Sequence, residues 1–68
     1  MERNLTKREA ISAMERSEKV THDSFTKDEW MIMKDGKIVL EDGVICDPDT
    51  FWSYRQLYYW NYGYSIIP

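Results

Sequence analysis

The chain has 68 residues, a formal charge of −3 and a pI near 5.0. That length makes one domain, 1–68, with a thin core, because so short a chain buries only about 60% of the surface it exposes when unfolded. The acidic balance argues against direct binding to a nucleic-acid backbone, the single Cys46 excludes an internal disulfide, and with a single His22 a Cys/His zinc site within one chain is excluded too.

Leu5-Thr6-Lys7-Arg8-Glu9 reads as a helix start. Thr6 and Glu9 stand at the spacing of a capping box, and Leu5 and Ala10 at that of a hydrophobic staple. Ala10, Ile11 and Met14 follow on a narrow apolar stripe that needs a sheet to lie on. Ser17-Glu18-Lys19 ends the helix. Val20–His22 is a short strand. Thr26 and Glu29 repeat the Thr-x-x-Glu spacing and predict a single capped turn.

Trp30–Lys34 is a strand with apolar residues on both faces, so its period is not clean. Asp35-Gly36 predicts a type I′ hairpin turn, which needs positive φ at both central residues. Lys37–Glu41 is the returning strand, Asp42-Gly43 a second hairpin signal, and Val44–Cys46 the next strand. Two Asp-Gly turns seven residues apart specify an antiparallel meander. Asp47-Pro48 then reads as a cap with proline at the first helical position, opening a short helix over residues 48–57. On it Trp52, Arg55 and Tyr59 share one face. Asn61-Tyr62-Gly63 is a turn, and Tyr64–Ile67 the closing strand. The predicted class is α+β: an N-terminal helix packed on a small antiparallel β-meander, a short aromatic second helix and a closing strand.

Residues 49–68 hold eight of the ten aromatic rings, with one Arg and no Lys. Rings bury large areas and stack on one another and on planar ligands, so this stretch serves as core, as binding wall, or as both. The candidate binding residues are Phe25, Trp30, Trp52, Tyr54, Arg55 and Tyr59, together with the acids Glu41, Asp42 and Asp47. Arg55 has two readings. It grips a carboxylate or phosphate beside the rings, or its stem covers aromatic surface while its head pairs with an acid such as Asp49. The acidic run 35–49 is a solvated face or the complement of a basic partner.

No catalytic constellation is present. His22-Asp23-Ser24 has the residue types of a hydrolase triad, but neighbours in an extended segment point in alternating directions and form no relay. A strand end with Asp23 or Ser24 bonding to loop backbone is the reading instead. Cys46 has no cation nearby in sequence to activate it and reads as a small hydrophobe. No metal or cofactor is expected. There is no secretory h-region and no apolar span near the ~20 residues a membrane helix needs, so a cytosolic protein with reduced Cys46 is expected. A short chain with neither disulfide nor metal, and with this much aromatic surface, predicts a homo-oligomer, a dimer first.

One set of motifs has a likeness. Ala10-Ile11-x-x-Met14, Lys19-Val20-Thr21, Phe25, Glu29-Trp30-Met31, Asp42-Gly43, Phe51-Trp52-x-Tyr54-Arg55 and Gly63-Tyr64-Ser65-Ile66 run in an order that resembles small phage and prophage proteins. The pattern is similar to that of the second Thoeris anti-defence family and covers residues 5–67. Members of that family sequester cyclic nucleotide signals, and members of the broad family have also been assigned as anti-CRISPR proteins. The resemblance implies a phage-encoded, non-enzymatic inhibitor of a bacterial immune system, acting in the host cytosol. Its target would be an immune effector protein such as a CRISPR nuclease, or alternatively a cyclic nucleotide signal. Where the family usually has a Gly in the turn after the helix this chain has Ser17-Glu18, and where a basic residue often follows Lys-Val-Thr it has His22-Asp23.

Overall fold

The computed structural model describes residues 4–26 and 28–68. Helix α1 spans Lys7–Glu15. The capping box forms in both directions: the Glu9 amide donates to Thr6 Oγ1 (3.2 Å) and the Thr6 amide to Glu9 Oε1 (2.9 Å). The helix ends through Ser17, which takes the left-handed conformation (φ 65°).

Five strands follow: β1 Lys19–His22, β2 Met31–Lys34, β3 Lys37–Leu40, β4 Ile45–Cys46 and β5 Tyr64–Ile67. All pairings are antiparallel, in the order β4-β3-β2-β1-β5. The β2–β3 turn is the expected one, with Asp35 at φ 53° and Gly36 at φ 76°. The β3–β4 turn is different. The Gly43 amide donates to the Leu40 carbonyl and the Leu40 amide to that of Val44, which makes a three-residue connection that leaves Val44 outside the strand. Thr26 and Glu29 do close a turn, with the Glu29 carboxylate accepting from the Thr26 amide at 2.9 Å.

The expected helix over 48–57 is shorter: α2 spans Pro48–Ser53. Side chains take three of its last carbonyls, while the Trp52 carbonyl accepts from the Arg55 amide. Ser53 Oγ donates to the Thr50 carbonyl, an Arg55 guanidinium N–H to that of Phe51, and Gln56 Nε2 to that of Ser53. Such local bonds compete with helix propagation. A 3-10 turn, Tyr58–Asn61, then carries Tyr59, so neither Tyr59 nor Arg55 sits on the helix with Trp52.

Both helices lie on one face of the sheet. The core side chains beneath them are Ala10, Ala13, Met14, Val20, Met31, Ile38, Phe51 and Tyr64. Each strand alternates, so Thr21, Ile32, Val39, Ile45 and Ile67 point to the other face, which no described element covers. That one-sided layering accounts for the apolar residues on both faces of β2.

Candidate functional site

The segment from Tyr54 to Tyr62 leaves α2 and returns to β5, and its side chains split into two sets. Trp60 turns inward; its ring lies 4.3 Å from that of His22 and 5.9 Å from Phe25. Tyr54, Leu57, Tyr58, Tyr59 and Tyr62 turn outward, with Tyr54 80%, Tyr58 72% and Leu57 60% exposed.

His22 holds this segment in place. It is buried, and its Nδ1 accepts from the Ser24 amide at 2.9 Å. The proton therefore sits on Nε2, which donates to the carbonyls of Tyr59 (2.9 Å) and Tyr62 (2.8 Å). The Tyr64 hydroxyl donates to the Trp60 carbonyl at 2.6 Å, and burial pushes its pKa up to about 12 despite the opposing charge of Arg55. Three carbonyls of an irregular loop are thus tied to two side chains of the sheet, β1 and β5. The loop's backbone is fixed while its tyrosines stay in solvent.

Arg55 is packed rather than paired. Its guanidinium lies 3.8 Å over the Phe51 ring and 5.3 Å from Trp60. It makes no ion pair with Asp49; the ion pairs among the described residues are Arg16–Glu18 and Lys37–Asp47. Its Nε is buried without a partner. Beside it is an open cleft of about 460 Å³ lined by Lys7, Asp49, Trp52, Gln56 and Asn61 among others, with Lys7 Nζ 4.6 Å over the Trp52 ring. Trp52 and Arg55 therefore do share a surface, but one built by a loop and two helices.

The remaining candidates are elsewhere. Phe25 packs inward on Trp60 and His22. Trp30 lies on the uncovered sheet face under Lys19 Nζ, at 4.7 Å. Asp42 accepts from the Val44 amide in the β3–β4 turn. Asp47 makes no side-chain cap to α2 and bonds Lys37 instead at 3.1 Å, which holds its carboxyl below the usual range. Glu41 is shifted the other way, by local desolvation and then by Asp42, Glu29 and Asp28. The nine residues thus occupy four places: the aromatic loop and cleft, the open sheet face, the β3–β4 turn with Glu41 and Asp42, and the start of β3, where Asp47 meets Lys37.

His22 is the loop anchor that pattern reading missed. Its signal in the sequence was a lone imidazole at an inward position of a strand. His22, Asp23 and Ser24 form no catalytic relay: Ser24 meets the imidazole through its amide, and Asp23 lies at the loop, its backbone amide bonded to Gly63. No cluster of potential metal ligands occurs among the described residues, and no described helix is long and apolar enough to cross a membrane. The chain matches no family model, no curated protein and no solved structure.

Proposed function

We propose that this chain is a phage-encoded anti-defence protein that inhibits a bacterial immune effector by binding it, in the host cytosol and without catalysing a reaction. The effector class favoured is a CRISPR-type nuclease. One observation carries the binding reading: the outward row of Tyr54, Leu57, Tyr58, Tyr59 and Tyr62 on a backbone fixed by His22. Tyrosines supply large, rigid contact area at low entropic cost and are enriched where proteins dock. A loop already held in shape loses less freedom on binding. The choice of effector follows the motif resemblance and the net charge of −3, which suits a basic, nucleic-acid-handling groove.

A second reading rests on the cleft. Arg55 and Lys7 flank Trp52, and Arg55 has no carboxylate partner among the described residues, an arrangement that suits a planar anion such as a cyclic nucleotide signal. One experiment separates the two. The protein is expressed in bacteria carrying the immune system and recovered under native conditions. Co-purifying protein and small molecules released by heating are then identified by mass spectrometry. Inhibition of the purified nuclease at equimolar ratio supports the first reading, and changing Tyr54, Leu57 and Tyr58 together to Ser should abolish it at unchanged melting temperature. A released nucleotide, with the nuclease fully active, favours the second.

A further inference from the structure

The cleft beside Arg55 is a positive spot on an acidic chain. Its lining carries two cations, Lys7 and Arg55, against one acid, Asp49, whereas the whole chain has a net charge of −3. Asp49 pairs with neither cation, since the ion pairs among the described residues join other groups. The surplus charge of the cleft is therefore free to meet a ligand, and a single negative charge balances it.

Both cations are held before anything binds. The Arg55 guanidinium is stacked 3.8 Å over the Phe51 ring and donates through Nη1 to the Phe51 carbonyl at 3.1 Å. Its Nη2 has no hydrogen-bond partner among the described residues and, unlike Nε, is not shut away from solvent. Lys7, the first residue of α1, rests its Nζ 4.6 Å over the Trp52 ring. A planar fork fixed in this way loses little freedom when it closes on a carboxylate. Asn61, also in the lining, adds a neutral donor.

The charge and the shape of the cleft select the ligand. A phosphate monoester carries close to two negative charges at neutral pH, and one of them would face Asp49 unmatched; a carboxylate carries one. Small-molecule sites enclose most of their ligand, whereas this cleft is open, which suits an anion carried on a larger surface. Arg55, Gln56 and Asn61 of the lining are the immediate chain neighbours of Tyr54, Leu57 and Tyr62, three of the outward side chains. A surface that rests on those side chains is brought to the mouth of the cleft. We infer that the cleft receives one acidic side chain, aspartate or glutamate, of the effector that docks on the tyrosine loop, gripped by Arg55 and Lys7; the inference rests on the effector-binding reading. Exposed to water such an ion pair contributes little. Ringed by docked tyrosines it is a desolvated, charge-assisted anchor, the setting in which Arg and Tyr dominate protein interfaces.

The test uses the complex recovered from bacteria carrying the immune system. A carbodiimide joins an amine to a carboxylate in direct contact, without a spacer. Mass spectrometry of the joined peptides is expected to find Lys7 linked to an aspartate or glutamate of the effector. Lys7→Glu is expected to weaken binding by about tenfold or more, and Lys7→Gln by less, with circular dichroism verifying the fold of both. Changing the linked effector carboxylate to lysine is expected to restore binding to the Lys7→Glu variant and to weaken it to the unmodified protein. A complex in which Lys7 is linked only to this chain's own Asp49, or in which Lys7→Glu binds as tightly as the unmodified protein, overturns the proposal and leaves the tyrosine reading standing. Normal inhibition after Tyr54, Leu57 and Tyr58 are changed to Ser overturns that reading and the proposal with it. A nucleotide released by heating from the unmodified protein, and absent from Lys7→Glu, assigns the cleft to the nucleotide and also overturns the proposal.

Discussion

At the scale of single residues, three side chains decide whether the loop keeps its shape. His22 spends both ring nitrogens on backbone, so His22→Ala strands two carbonyls and one amide. Each buried group left without a partner costs about 1–3 kcal/mol, so a loss on the order of 3 kcal/mol is expected in urea unfolding. Tyr64 ties the Trp60 carbonyl and titrates near 12 when folded against 10.0 ordinarily. The folded state holds the proton longer. Its contribution is therefore fully present below pH 10 and fades as the pH rises toward 12. Tyr64→Phe should cost about 1 kcal/mol at neutral pH and flatten this alkaline decline in the urea midpoint. Arg55 braces Phe51 and Trp60 from outside. Arg55→Ala should lower stability by about 1–2 kcal/mol, and Arg55→Lys should recover little of it, because only the planar guanidinium stacks. If the cleft binds a nucleotide, Arg55→Ala also loses the nucleotide in correctly folded molecules; an unaffected nucleotide yield would leave Arg55 no role in that binding.

At the scale of elements, the regular parts were legible and the irregular one was not. The capping box at Thr6 and Glu9, the Asp35-Gly36 turn and the strand Tyr64–Ile67 follow from local rules that tertiary context did not override. The stretch 54–62 did not, because aromatic spacing that fits a helix face fits equally a loop wrapped around one imidazole. Its helix stops where Ser53, Arg55 and Gln56 take the free carbonyls, a competition that periodicity does not register. The open sheet face was half visible, as apolar residues on both faces of Trp30–Lys34. Gly63 shows how tightly the loop rejoins the sheet. It is buried at φ 89°, and a Cβ there would lie 3.0 Å from Asp23 Oδ2 and 3.4 Å from His22 Nε2. Gly63→Ala therefore adds a clash to the conformational cost. A loss well above the ~1 kcal/mol of an incompatible backbone alone is expected, measured against Gly36→Ala, where nothing lies within 4 Å.

At the scale of the whole molecule, one layer of helices on one layer of sheet gives two working surfaces facing away from each other. The tyrosine loop is on the first, and the Ile32–Val39 row on the second. The strand order has a separate consequence, in time rather than in space. β2, β3 and β4 close through turns of a few residues, whereas β1 reaches β5 only by pairing residues 19–22 with 64–67. Long closures are entropically costly and slow to nucleate. The meander should therefore gain amide protection first in pulsed hydrogen exchange, and β5 last; simultaneous protection of all five strands would contradict this. The tyrosine loop sits inside that late closure and is anchored to β1 and β5. It acquires its shape at the end of folding and gives it up first on unfolding, so a protease cutting at Tyr58 would report on β5 docking long before the meander came apart.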